Sequence, residues 1–240
     1  MSVHPGYRGA RAALAAMLAR AEAWLLKPAE PLSEPVAPPP PVQRPVVAVF
    51  GLSARCGATM VARALAAELA GRNGDGAAVV SATVQGGSIP LAAPAAGRLA
   101  RALGAMTGVR ARAVGRLCLV DGADDRTLAD ATRYLAPLVL DAGAASVGGA
   151  PCSLADHVVL VATPKVEPAL ARVLVESLGR VGPTPLVALN RADPDGWDGA
   201  AAVELPESRM GAQLALGGRE PRGELGRAVA ELADICAEPR

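Results

Sequence analysis

Between residues 51 and 59 the chain reads Gly51-Leu52-Ser53-Ala54-Arg55-Cys56-Gly57-Ala58-Thr59, directly after the β-branched run Val46-Val47-Ala48-Val49-Phe50. A strand that ends at a glycine, a loop of small residues and a helix start gather backbone N–H groups and the positive end of a helix dipole around one point, where an anion can sit. The pattern for such a phosphate loop is G-x-x-x-x-G-K-[ST]. Gly51 supplies the first glycine, Gly57 the second one residue late, and Thr59 the hydroxyl, while Ala58 stands where the lysine belongs. Arg55 is the one cation left in the loop. Cys56, beside a helix N-terminus, is either a thiol activated by that environment or a small residue that fits the loop. The frame of a phosphate site is written here without its main charge.

A loop of this kind needs a sheet to hold other groups beside it. Apolar runs of four to six residues alternate with helical patterns from Val46 onward. Strands are expected at 46–50, 77–84, 117–120, 138–141, 157–162, 185–189 and 201–205. Helices are expected at 58–69, 91–104, 126–135, 167–178, 208–216 and 224–235, with 142–149 a small-residue loop. This alternation predicts a mostly parallel sheet with helices on both faces, a three-layer α/β sandwich. Ligands in such sheets bind at the carboxyl ends of the strands. That edge gathers the glycine loop, Ser81, Asp141, Thr163 and Asn190-Arg191-Ala192-Asp193.

Composition narrows the function classes. The chain of 240 residues is 51% hydrophobic and 2% aromatic, so its core is built from Ala, Val and Leu. A net charge of +1 gives no global attraction to nucleic acid. No apolar run reaches the ~18 residues of a membrane span. Cys56, Cys118, Cys152 and Cys236 lack C-x-x-C spacing, which fits reduced thiols in the cytoplasm better than a disulfide framework or a zinc site. The two histidines, His4 and His157, form no triad with a G-x-S-x-G serine. Residues 1–27 have Leu14, Met17, Leu18, Ala21 and Leu25 on one helical face. The simple reading is a helix packed on its own domain or on a copy of itself; the alternative is a helix for a protein partner or for the membrane surface. Residues 28–45, with four prolines in a row from Pro38 to Pro41, form a linker, and 46–240 form the globular domain.

With these residues in view, the globular part resembles the MinD/ParA family of P-loop NTPases, of the SIMIBI class. The carriers are the loop at 51–59, Leu138-Val139-Leu140-Asp141-Ala142-Gly143, the strand Ala155-Asp156-His157 through Thr163-Pro164, Val187-Ala188-Leu189-Asn190-Arg191, and Leu205-Pro206-Glu207-Ser208 through Gly217-Gly218-Arg219. The resemblance implies ATP or GTP with Mg2+ as cofactor. It places the phosphates on Gly51, Ser53, Arg55, Cys56, Gly57, Ala58 and Thr59, the metal on Thr59 and Asp141, and the base on Asn190, Arg191 and Asp193. Asn and Asp at that last spacing read a purine edge in N-K-x-D elements, but Asp193-Pro194-Asp195-Gly196 is equally a polar turn. A face-to-face homodimer across the nucleotide is also implied.

The departures set the functional expectation. Two lysines of the family loop align with Ser53 and Ala58, and its second strand ends in an aspartate where this chain has Val79-Val80-Ser81-Ala82-Thr83. Phosphoryl transfer depends on positioned charge, and each lost stabilising group typically costs ~10²–10³ in rate. The sequence therefore points to a degenerate member, a scaffold or regulator in cellular positioning or assembly that binds nucleotide without hydrolysing it or binds none. The alternative is a slow ATPase or GTPase using Arg55, Thr59 and Asp141. The expected location is the cytoplasm, with peripheral membrane contact through residues 1–27.

Overall fold

The computed structural model describes residues 15–20, 42–72, 76–81, 91–144, 150–192, 197, 201 and 203–237. The chain divides into two compact units, Met1–Pro40 and Pro41–Arg240. In the first, residues 15–20 are helical (α1) and exposed, with Met17 and Leu18 open to solvent. The rest of the expected 1–27 helix, and residues 28–41 of the linker, lie outside the described residues.

The second unit carries an eight-stranded sheet in the order β3-β4-β2-β5-β1-β6-β7-β8. Its strands are β1 (Val46–Gly51), β2 (Ala78–Ser81), β3 (Ala111–Val114), β4 (Leu117–Val120), β5 (Leu138–Ala144), β6 (His157–Ala162), β7 (Leu186–Asn190) and β8 (Val203–Leu205). All neighbours run parallel except the β3–β4 hairpin. β1, the middle of the sheet, is buried along its whole length, as a strand covered on both faces must be. The helices are α2 (Ala58–Arg72), α3 (Pro94–Thr107), α4 (Asp125–Thr132), α5 (Ala150–Leu154), α6 (Pro168–Gly179), α7 (Arg209–Leu216) and α8 (Gly223–Cys236).

The face toward α2, α7 and α8 buries Val47, Val49, Val139 and Val159 under Val61, Leu65 and Leu69. The opposite face buries Ala48, Phe50, Leu138, Leu140 and Leu160 against Leu103, Leu128 and Leu178. α2 is apolar on nearly every side because it is enclosed by the sheet and by α7 and α8. Its alanines let the three layers approach closely, so it has no polar face to give a helical stripe.

Several expectations need correction. The strand at 111–114 was not expected: Ala-Arg-Ala-Val, only its last residue buried, is an edge strand with little apolar signal. The expected loop at 142–149 begins inside β5, which continues to Ala144 through a register slip opposite β1, and α5 starts at Ala150. The helix expected from Leu91 begins at Pro94, where the fixed φ of proline suits a first turn, and runs on to Thr107. The helix expected at 126–135 ends at Thr132, because Leu135 and Ala136 turn their N–H groups onto the Thr132 carbonyl before β5. Of the strand expected at 77–84, residues 78–81 are strand and 82–84 lie outside the described residues.

At the end of the sheet where β1 begins, Asp156 accepts the Val46 N–H at 2.9 Å and a forked pair from Arg133 at 2.6 and 3.1 Å. Asp156 itself is 5% exposed. The Ala155-Asp156 pair that carried part of the resemblance is thus a structural clamp on β1, far from the glycine loop at the strand's other end.

Candidate functional site

β1 delivers Gly51 to the carboxyl edge, where Leu52 donates its N–H to Val161 of β6 at 2.8 Å. The chain then turns tightly. Cys56 N–H reaches the Ser53 carbonyl, and Val61 N–H the Gly57 carbonyl, which opens α2. Two residues of the turn take left-handed backbone, Arg55 at φ 61° and Gly57 at φ 93°. Arginine accepts that conformation only at a cost, so the turn places the Arg55 side chain, which is exposed, by force of the surrounding backbone. Gly51 has to be glycine, since a Cβ there would lie 2.7 Å from the Cys56 sulfur. Cys56 is 2% exposed: its thiol fills the space beneath the strand end.

The turn encloses an opening of about 380 Å³ lined by residues 53–60 with Gly51, Gly143 and Leu216. Thr59 is exposed on it and Ser53 is half-buried, while Ala58 is buried. Of the expected phosphate residues, Gly51, Ser53, Arg55, Cys56, Gly57, Ala58 and Thr59 all come together there. Asp141 is beside them in the sheet, paired with Val49 immediately before the slip in β5 that brings Gly143 to the opening.

Asp141 is the point of electrostatic tension. Its Oδ1 is buried and makes no hydrogen bond. Arg63 of α2 is 7% exposed, donates Nη1 to the Leu216 carbonyl at 3.0 Å and leaves Nε without a partner. Burial lowers the Arg63 pKa from the usual guanidinium range, and the negative field of Asp141 acts against that shift. Hard oxygen donors of the Asp141 and Thr59 kind suit magnesium. The Arg63 charge opposes a second cation at that carboxylate.

Of the residues expected to read the base, Asn190 is engaged by the glycine loop. Asn190, 3% exposed, donates Nδ2 to the Cys56 carbonyl at 2.7 Å and accepts the Arg191 N–H at 3.1 Å. Its amide ties the end of β7 to the glycine loop, and a Cβ on Gly57 would collide with it. Arg191 is exposed in left-handed backbone at φ 57°, and Asp193 lies outside the described residues.

Sequence reasoning missed Asp125. The first residue of α4, it accepts the Ser81 hydroxyl at 3.3 Å, so a carboxylate does reach the end of β2. Burial pushes its pKa up, the Ser81 bond lowers it, and the Asp124 charge raises it further. The signal was the run Asp121-Gly122-Ala123-Asp124-Asp125 just after β4, whose carboxyl end lies beside that of β2. Among the described residues no group of three or more His, Cys, Asp or Glu could hold a metal ion, and no helix is long and apolar enough to cross a membrane.

No protein-family model and no curated protein matches the sequence. Solved structures do match the fold. A ParA family ATPase from Chlorobium tepidum TLS is 16% identical over 79% of this chain and 98% of its own, with a TM-score of 0.52. A chain of the MinC:MinD cell division protein complex of Aquifex aeolicus is 16% identical over 80% and 95%, at 0.50. A variant of Cyanothece McdA in complex with ATP is 14% identical over 83% and 99%, at 0.53. The globular unit therefore has the P-loop NTPase fold of ParA- and MinD-type ATPases, as the resemblance implies.

Proposed function

We propose that this protein is a degenerate ParA/MinD-like P-loop protein, a scaffold or regulator that positions or assembles a cellular structure without efficient phosphoryl transfer. The observation that carries this reading is the loop's charge. Ala58 is buried where the phosphate-binding lysine would project, Ser53 is neutral, and Asp141 faces the field of the chain's own Arg63. The loop keeps its backbone turn, so its amides can still receive the phosphates of ATP or GTP, but little positioned charge is left to stabilise a transition state. Nucleotide in this reading is a structural ligand, or is dispensed with. The partner is a protein, reached through residues 1–27 or through a second copy of the chain, and the work is done in the cytoplasm or at the membrane surface.

One observation favours a second reading, a slow ATPase or GTPase. Asp125 restores a carboxylate at the end of β2, where a water or a magnesium shell is handled in the enzymes this fold resembles. Thr59 and Asp141 would then hold the magnesium and Arg55 would meet the phosphates.

Equilibrium binding of labelled ATP and GTP with Mg2+, measured beside phosphate-release kinetics, separates the two. The scaffold reading predicts no turnover whether or not nucleotide binds. Turnover that disappears in Thr59→Ala would establish the enzyme. Deleting residues 1–27 should leave the domain folded and change its distribution in cells; an unchanged distribution would remove that helix from the partner role.

A further inference from the structure

A second cavity, of about 360 Å³, opens around the β3–β4 turn. It lies at the end of the sheet where β2 and β4 begin, whereas the glycine loop is at the end where β1 terminates. Four segments wall it: residues 91–93 before α3, the turn at 115–116, Leu214 of α7, and residues 218–222 before α8.

Its lining holds three guanidinium groups, Arg116, Arg219 and Arg222, and one carboxylate, Glu220. Glu220 is already paired with Arg116. Two positive charges are left in excess, in a chain whose net charge is only +1. Arg219 and Arg222 are exposed, so neither is there to satisfy a buried acid.

Two helix starts add to the positive field of the cavity, offset in part by Glu224 in the first turn of α8. α3 and α8, each of 14 residues, begin at the cavity wall, and neither N-cap side chain bonds to its helix. The N-cap of α8 is Arg222 itself, a cation placed at the positive end of a helix dipole where an anion is preferred. Backbone contacts hold the walls together. Arg116 donates its N–H to the Gly218 carbonyl at 2.8 Å and Ala93 donates to the Gly115 carbonyl at 2.7 Å. Gly115 and Gly218 have left-handed backbone and pack so closely that a Cβ on either would strike carbonyl oxygen. The cavity therefore keeps its shape, with two guanidiniums beyond the Arg116–Glu220 pair open to solvent on its lining.

We infer that this cavity binds a small phosphorylated molecule, whose phosphate group is taken by the Arg219 and Arg222 guanidiniums while Glu220 holds Arg116 in place. Guanidinium forks match phosphate oxygens two at a time. The size and concavity of the site suit a compact di- or trianion. A nucleic-acid duplex needs an extended basic surface instead.

The test is calorimetric titration of the full chain with inorganic pyrophosphate, repeated in three variants. Arg55→Gln alters the glycine loop, and saturable binding should survive it. Arg219→Gln with Arg222→Gln, both exposed and outside the core, should weaken that binding at least about 10-fold, as expected when two charge-assisted bonds are lost. Glu220→Gln, which removes the opposing carboxylate, should tighten it. Absence of saturable pyrophosphate binding, or binding untouched by the double variant, would overturn the assignment. Binding lost only in Arg55→Gln would move it to the glycine loop and overturn it as well.

Discussion

Two carboxylates stand at opposite ends of the same sheet, and their surroundings differ. Asp156, where β1 begins, has both oxygens engaged by Arg133 and by the Val46 N–H. Asp141, beside the end of β1, has a buried oxygen with no partner and a guanidinium, Arg63, near enough to be felt but making no ion pair with it. The first arrangement is what stability demands of a buried charge. The second is left incomplete, and incompletion at a strand's carboxyl edge is where this architecture keeps its ligands. The fold gives the carboxylate that holds β1 a full set of partners and leaves the one at the loop end without a hydrogen bond at Oδ1.

That contrast can be broken at its strong end first. Arg133→Met should destabilise the domain by about 3 kcal/mol or more, because it leaves a buried carboxylate unpaired; chemical denaturation reads the loss. Adding Asp156→Asn should recover part of it. Asn190→Ala comes next, at about 1–3 kcal/mol, since the Cys56 carbonyl loses a buried donor. Hydrogen exchange should rise at 52–57 in that variant, while the β1 start stays protected. Asp141→Asn should cost only about 1 kcal/mol, having no bond at Oδ1 to lose. A loss as large as that of Arg133→Met would mean that the two ends are equally well paired.

The smallest effect is a control on a solvent-exposed acid. Asp124 caps α4 by accepting the Thr127 N–H at 2.9 Å, and that bond, with the Thr127 hydroxyl, lowers its pKa. A depressed folded pKa stabilises above the unfolded value near 3.8 and loses that contribution as pH falls through the folded value. The stability gap between wild type and Asp124→Ala should therefore be constant near neutrality and close below about pH 4.

Much of this was legible from residue order. β6 (His157–Ala162) is apolar throughout after His157 and falls where the sequence places it, and the Val46–Thr59 stretch forms the strand, turn and helix start that its glycines imply. What escaped is explained by distance along the chain or by weak local signal. Asp125 meets Ser81 across 44 residues, so no motif could join them. Asn190 reads like part of a base-binding element, yet its amide is held by Cys56, 134 residues away. Arg63 is a charge in an otherwise apolar stretch of α2, and the structure buries it with its guanidinium on the Leu216 carbonyl at the end of α7. The edge strand β3 is too exposed for an apolar pattern to reveal it.

In the proposed reading, the loop end of the sheet keeps the phosphate-binding turn without the charge that phosphoryl transfer needs. Phosphate release from ATP and from GTP, with Mg2+ and under single-turnover conditions, tests it most directly. Release is expected to be no faster than in the protein-free solution, with Thr59→Ala and Asp125→Asn indistinguishable from wild type. Release well above that background, abolished by either substitution, would contradict it.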